Sequence, residues 1–136
     1  MCSVKKKLLA SLLVVVMMLS VIPVTVFATT PTVVTDENAL KAAAQNGGEV
    51  TIGNQISIHE PITVNKDLVI NLNGQSIWMN DGQDHEAAFI VSGASLTIKG
   101  NEYCGVHYHG SGSAFQLNGA EGKDTELILN KGRRFL

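Results

Sequence analysis

DLVINLNGQSIWM, residues Asp67 to Met79, places two runs of alternating apolar residues on either side of Asn73-Gly74, with Asp67 as the sole charge. Alternation with a period of two marks extended chain with one buried face, so Leu68, Ile70 and Leu72 share one side and Val69 and Asn71 the other. Asn-Gly supplies the permissive, left-handed backbone of a sharp turn. Two outcomes are open at this point. Asn-Gly is the strongest short signal for a two-residue hairpin, but it serves equally as a corner between two faces of a winding chain.

The residues around it bear on the choice. From Glu49 onward the same period recurs in short runs: Val50–Ile52, Ile56–Ile58, Ile62–Val64 and Leu68–Leu72, then Ile77–Met79, Phe89–Val91 and Leu96–Ile98. Val106–Tyr108, Phe115–Leu117 and Leu127–Leu129 follow, with Gly, Asn, Asp and Ser between them. This is an all-β body. Three-residue strands bury too little to hold the register of an antiparallel meander, whose strands usually run to about five or six residues. They suit a solenoid, in which each strand stacks on its equivalent one coil later. Grouped by threes, the runs give about three coils and the opening of a fourth. The first strands begin at Val50, Leu68, Leu96 and Leu127, each step longer than the one before, so the loops lengthen along the chain. Asn73-Gly74 is then expected to be a corner.

Ahead of this body the period changes. Thr35-Asp36-Glu37-Asn38 opens with a capping residue and acids, an Ala-rich stretch follows, and Gly47-Gly48 closes it where a left-handed end is needed. A helix of about ten residues is expected within residues 36–47, with Ala39, Leu40, Ala43 and Ala44 on one face. That face is expected to cover the open end of the β body. Residues 29–35, with Pro31, read as an exposed lead-in ending in a short extended stretch.

Lys5 to Lys7 precede the apolar run Leu8–Ile22, Pro23 breaks it, and Val26-Phe27-Ala28 fits a secretory cleavage site, so residues 1–28 read as a signal peptide. The competing reading is an uncleaved anchor, since Leu8–Phe27 approaches the roughly 20 residues that span a bilayer. Cleavage would remove three of the ten basic side chains and none of the twelve acidic ones, leaving seven against twelve and a net charge of −5. Such a surface suits neither nucleic acid nor an anionic membrane, because both need Lys and Arg to neutralise phosphate. Cys2 leaves with the leader, so Cys104 stands alone, either buried as a small apolar residue or free to pair with another chain.

AAAQNGG, EVTI, EPITVNKDLVINLNGQSI and FIVSGASLTIKG together resemble the pectin-lyase-like right-handed parallel β-helix superfamily, as found at the start of secreted bacterial surface proteins. The resemblance covers Asp36 to Gly100 well and the remainder weakly. It implies a right-handed parallel β-helix with a short N-terminal capping helix. It says little about activity, because the scaffold serves polysaccharide-degrading enzymes as well as adhesins and binding modules. The aspartate clusters and basic residues of those enzymes are not visible here, and the sequence reaches Leu136 as a fourth coil begins. The chain is therefore expected to be truncated from a longer parent, or to self-associate through an open coil end.

Five residues stand out as candidate ligand contacts. Trp78, sent outward by alternation with Ile77 and Met79, offers a flat ring to a sugar, or is covered by the long loop that follows. His107 and His109, two apart on extended chain, share a side and read as surface histidines unless a third ligand makes a metal site; Cys104 and Glu102 are near in sequence. Asp81 and Asp84 lie in Asn80–Glu86, an acidic loop expected to be solvated; weak calcium binding is the minority reading, and no other cofactor is expected. Asp84 and Glu86 do not read as a catalytic pair, and Asn71 and Asn73 are given structural roles. The expectation is a secreted or cell-surface structural or binding module, adhesin-like or glycan-binding, whose partners are polysaccharide or other surface proteins. The alternative is the N-terminal part of a polysaccharide lyase or glycoside hydrolase with its active-site coils beyond residue 136.

Overall fold

Short aliphatic alternation becomes three parallel sheets in the computed structural model, which describes residues 30–131. The expected leader at residues 1–28 and the last positions, 132–136, lie outside the described residues. In chain order the elements are β1 (Thr32–Val34), α1 (Glu37–Asn46), β2 (Gly48–Ile52), β3 (Ile56–Ile58) and β4 (Ile62–Val64). β5 (Leu68–Asn71), β6 (Ile77–Met79), β7 (Ala87–Ser92) and β8 (Ser95–Gly100) follow, then β9 (Val106–Tyr108), β10 (Ser113–Asn118) and β11 (Glu126–Lys131).

The sheets run β1-β2-β5-β8-β11, β3-β6-β9 and β4-β7-β10. Each pass of the chain therefore visits the three sheets in the same order, β2-β3-β4, then β5-β6-β7, then β8-β9-β10, and every ladder among the described strands is parallel. Like residues lie side by side. Val50, Ile70, Ile98 and Leu129 form one rank, Ile56, Ile77 and Val106 another, and Ile62, Phe89 and Phe115 a third. Phe89 and Phe115 stack at 5.9 Å between centroids. The core is wholly apolar, with no polar or charged residue buried among those described.

Asn73-Gly74 is a corner, not a hairpin. Asn73 and Gly74 both take positive φ, 51° and 76°, and the Gln75 N–H donates to the Leu72 carbonyl at 2.8 Å. Positive φ at both central residues is the turn that hairpins use. Here β5 leaves it paired with β2 and β8, while β6 pairs with β3 and β9. Partners in the neighbouring passes have taken the hydrogen bonds that a hairpin would use.

Asp36 caps α1, its carboxylate accepting from the Ala39 N–H at 2.8 Å, and Gly47 closes it at φ 73° with its N–H on the Ala43 carbonyl. Leu40, Ala43 and Ala44 are buried, Ala39 is partly so, and the helix packs on β4 and β3. The first pass adds one pairing and one correction. Thr32–Val34, the short extended stretch expected at the end of the lead-in, is a strand that pairs with β2, and only Val34 of its three residues turns inward. Gly48, not Val50, is the partner of Leu68, so the first coil begins earlier than the apolar run suggests and its repeat is correspondingly longer.

Candidate functional site

The middle strand of the β3-β6-β9 sheet carries the chain's one tryptophan. Ile77 and Met79 are buried, which holds β6 in place and turns Trp78 to the outer surface, half-exposed. β9 sets His107 beside it in register, and the imidazole stacks on the indole at 4.0 Å between centroids with 14° between planes. His109, just past β9, lies 5.8 Å from the indole at 18°. On the other side of Trp78 the in-register neighbour is Ser57, an exposed serine too small to cover an indole. A flat ring is thus braced on one face by imidazole and bordered on the other by a short side chain.

His107 braces Trp78 on one face. The Asn80–Glu86 loop is largely exposed, as expected, and is also tied down. The Tyr108 hydroxyl accepts from the His85 N–H at 3.0 Å and donates to the His85 carbonyl at 2.7 Å. Asp81 accepts from the Gln83 N–H at 3.0 Å and meets the His85 ring at 2.8 Å, with the two side chains only 12% and 21% exposed. The His85 hydrogen bond holds the Asp81 carboxyl below its ordinary range, and the Gln83 N–H adds to this. Asp84 accepts from the Ser111 N–H at 3.1 Å. Both oxygens of Asp81 are therefore engaged within the protein, Oδ1 by the Gln83 N–H and Oδ2 by the His85 ring. Among the described residues no group of three or more His, Cys, Asp or Glu side chains converges as a metal-ligand set.

The five candidates thus divide. Trp78, His107 and His109 come together, whereas Asp81 and Asp84 brace a loop. Cys104 is half-buried against the core, its Sγ accepting from the Asn101 N–H at 3.2 Å, and it helps to line an apolar cavity of about 180 Å³ with Leu72, Ile98, Val106, Phe115 and Leu129. Asn71 and Asn73 are corner residues, the Asn71 side-chain Oδ1 accepting from the Asn73 N–H at 3.0 Å.

No protein family, curated protein or solved structure matches this chain. One feature that the sequence reading missed is a polar groove of about 390 Å³, bordered by Asn71, Asn73, Lys99, Asn101, Asn130 and Lys131. Asn71, Lys99 and Asn130 lie side by side on β5, β8 and β11, and Lys99 reaches Glu49 at 3.1 Å. These residues are distant in sequence and belong to no motif, so only the register brings them together.

Proposed function

We propose that the three sheets are the faces of a right-handed parallel β-helix of the pectin-lyase-like kind, and that the chain is a non-catalytic, secreted or cell-surface module that binds glycan on the outer face of β3-β6-β9. The fold reading is supported by the repeated visit to three parallel sheets. Export is supported by the leader-like run behind Lys5–Lys7 and the cleavage-site pattern Val26-Phe27-Ala28. The function rests on one observation, the braced indole. Pyranose rings present a face of C–H groups that stacks on an aromatic plane, and an indole already held flat loses little conformational freedom on binding. Ser57 leaves room beside that plane and offers a hydroxyl at its border.

Glycan-array screening, followed by tryptophan fluorescence titration with the oligosaccharides retained, tests the reading. A saturable change in Trp78 emission is expected, with affinity at least about tenfold weaker in Trp78→Ala, equivalent to about 1.4 kcal/mol. Unchanged binding by Trp78→Ala, or no retained glycan from a folded protein, overturns it.

A further inference from the structure

The polar groove at the ends of β5, β8 and β11 lies on a different sheet from Trp78. Parallel register assembles it. Asn71, Lys99 and Asn130 are neighbours across the three strands, and Lys131 stands beside Gly100, which with Gly74 adds no side chain to fill the space. Two features fix its chemistry. The first is charge: two lysines and no carboxylate line the groove, a local reversal of sign on a chain of net charge −2. Lys99 meets Glu49 at 3.1 Å, but the two side chains are 45% and 44% exposed, and pairs so open to water hold their partners weakly. Lys131 makes no ion pair among the described residues. The second feature is the use of the amides. The Asn71 Oδ1 accepts from the Asn73 N–H and the Asn101 Oδ1 from the Tyr103 N–H, each at 3.0 Å. With those oxygens spent on the chain itself, the two amides offer a ligand chiefly their N–H donors, and lysine has donors alone.

We propose that this groove binds a tetrahedral oxyanion, phosphate or sulfate, either free or as an ester carried by a saccharide. Donors from three strands and from the segment after β8, with two cations among them, suit a group with three or four acceptor oxygens better than a carboxylate with two. Lysine serves such a group as a point charge on a flexible stem, so Lys99 exchanges Glu49 for the ligand without moving its strand. The proposal is independent of the glycan reading, since it uses another sheet and none of the residues around Trp78.

Inorganic phosphate, inorganic sulfate, glucose 6-phosphate and, as the carboxylate, acetate are titrated into the purified, isotope-labelled chain in low-salt buffer, where surface charges are least screened. Nuclear magnetic resonance follows the side-chain amides, and circular dichroism establishes folding. Saturable shifts of the Asn71, Asn101 and Asn130 amide signals are expected with phosphate and sulfate, and binding of acetate should be far weaker. Glucose 6-phosphate binding more tightly than phosphate marks the ester as the source; the reverse marks the free ion. The half-saturating concentration should rise about threefold in Lys99→Gln and in Lys131→Gln, and fall about threefold in Glu49→Gln, which removes the competitor for Lys99. Lys123→Gln makes the same change of charge beside Gly93, outside the groove, and should match the parent, as should Trp78→Ala. Shifts that do not saturate overturn the proposal, as do saturable shifts that survive both groove variants, equal weakening by Lys123→Gln, or acetate binding as tightly as phosphate.

Discussion

Glu37 gathers several polar contacts. Its carboxylate accepts from the His59 N–H at 3.0 Å and the Glu60 N–H at 3.3 Å, meets the His59 ring at 2.9 Å, and pairs with Lys41 at 3.0 Å. Lys41 in turn reaches Glu60 at 2.9 Å. One side chain in the first turn of α1 thereby fastens the helix to the corner between β3 and β4. Burial alone would raise the Glu37 pKa, but the His59 side chain and backbone, with Lys41, outweigh it and hold it down at about 2. An unfolded glutamate titrates near 4.3, so this stabilisation is complete above about pH 5 and is lost as the pH falls toward 2. Because His59 is 68% exposed, solvent screening reduces the benefit to about 2 kcal/mol. Urea unfolding of the parent and Glu37→Gln should differ by that amount at pH 6 and converge only below about pH 2. A gap that does not change with pH would disprove the latch.

Among the elements, the corners and caps show why position matters more than residue type. Gly47 and Gly74 both sit at positive φ, 73° and 76°, but their surroundings differ. A Cβ on Gly74 would meet nothing within 4 Å, whereas one on Gly47 would lie 2.9 Å from the Asp67 carbonyl oxygen. Gly74→Ala should therefore cost only the backbone strain, about 1 kcal/mol. Gly47→Ala adds a backbone collision to a conformation with ψ −171° that is nearly confined to glycine, and should cost about 3 kcal/mol. Equal losses in thermal unfolding would refute the distinction. Period and punctuation made the ten strand runs and the helix ends readable in the sequence, because each depends on neighbouring residues. The first register was not. Gly48 and Glu49 are exposed and bring no apolar signal to mark where β2 begins, and β1 buries Val34 alone. The outward direction of Trp78 was readable from alternation. Its stack with His107 was not, since that depends on how irregular loops set the register of two strands that lie a whole pass apart in the chain.

At the scale of the molecule, burial is graded along the direction in which the passes accumulate. The inward residues of β2 to β8 are almost fully buried, those of β9 to β11 only in part, and Leu117 and Leu129 are 48% and 58% exposed. Ranks of like residues make this gradient testable within one column. Val50, Ile70, Ile98 and Leu129 occupy equivalent places on one face of the sheet, yet the first three are buried and Leu129 is not. Ile70 is 0% exposed between two packed neighbours, and Ile70→Ala leaves a cavity that neither can fill without moving its own strand. A loss of about 3 kcal/mol is expected. Leu129→Ala removes a similar side chain from the end of the column, where much of it already meets solvent, and should cost no more than about 1 kcal/mol. Denaturant midpoints of the two variants decide whether stability follows burial along the column. If Leu129→Ala is as damaging as Ile70→Ala, then something covers the last rank in solution, and the gradient belongs to residues 30–131 rather than to the working form of the protein.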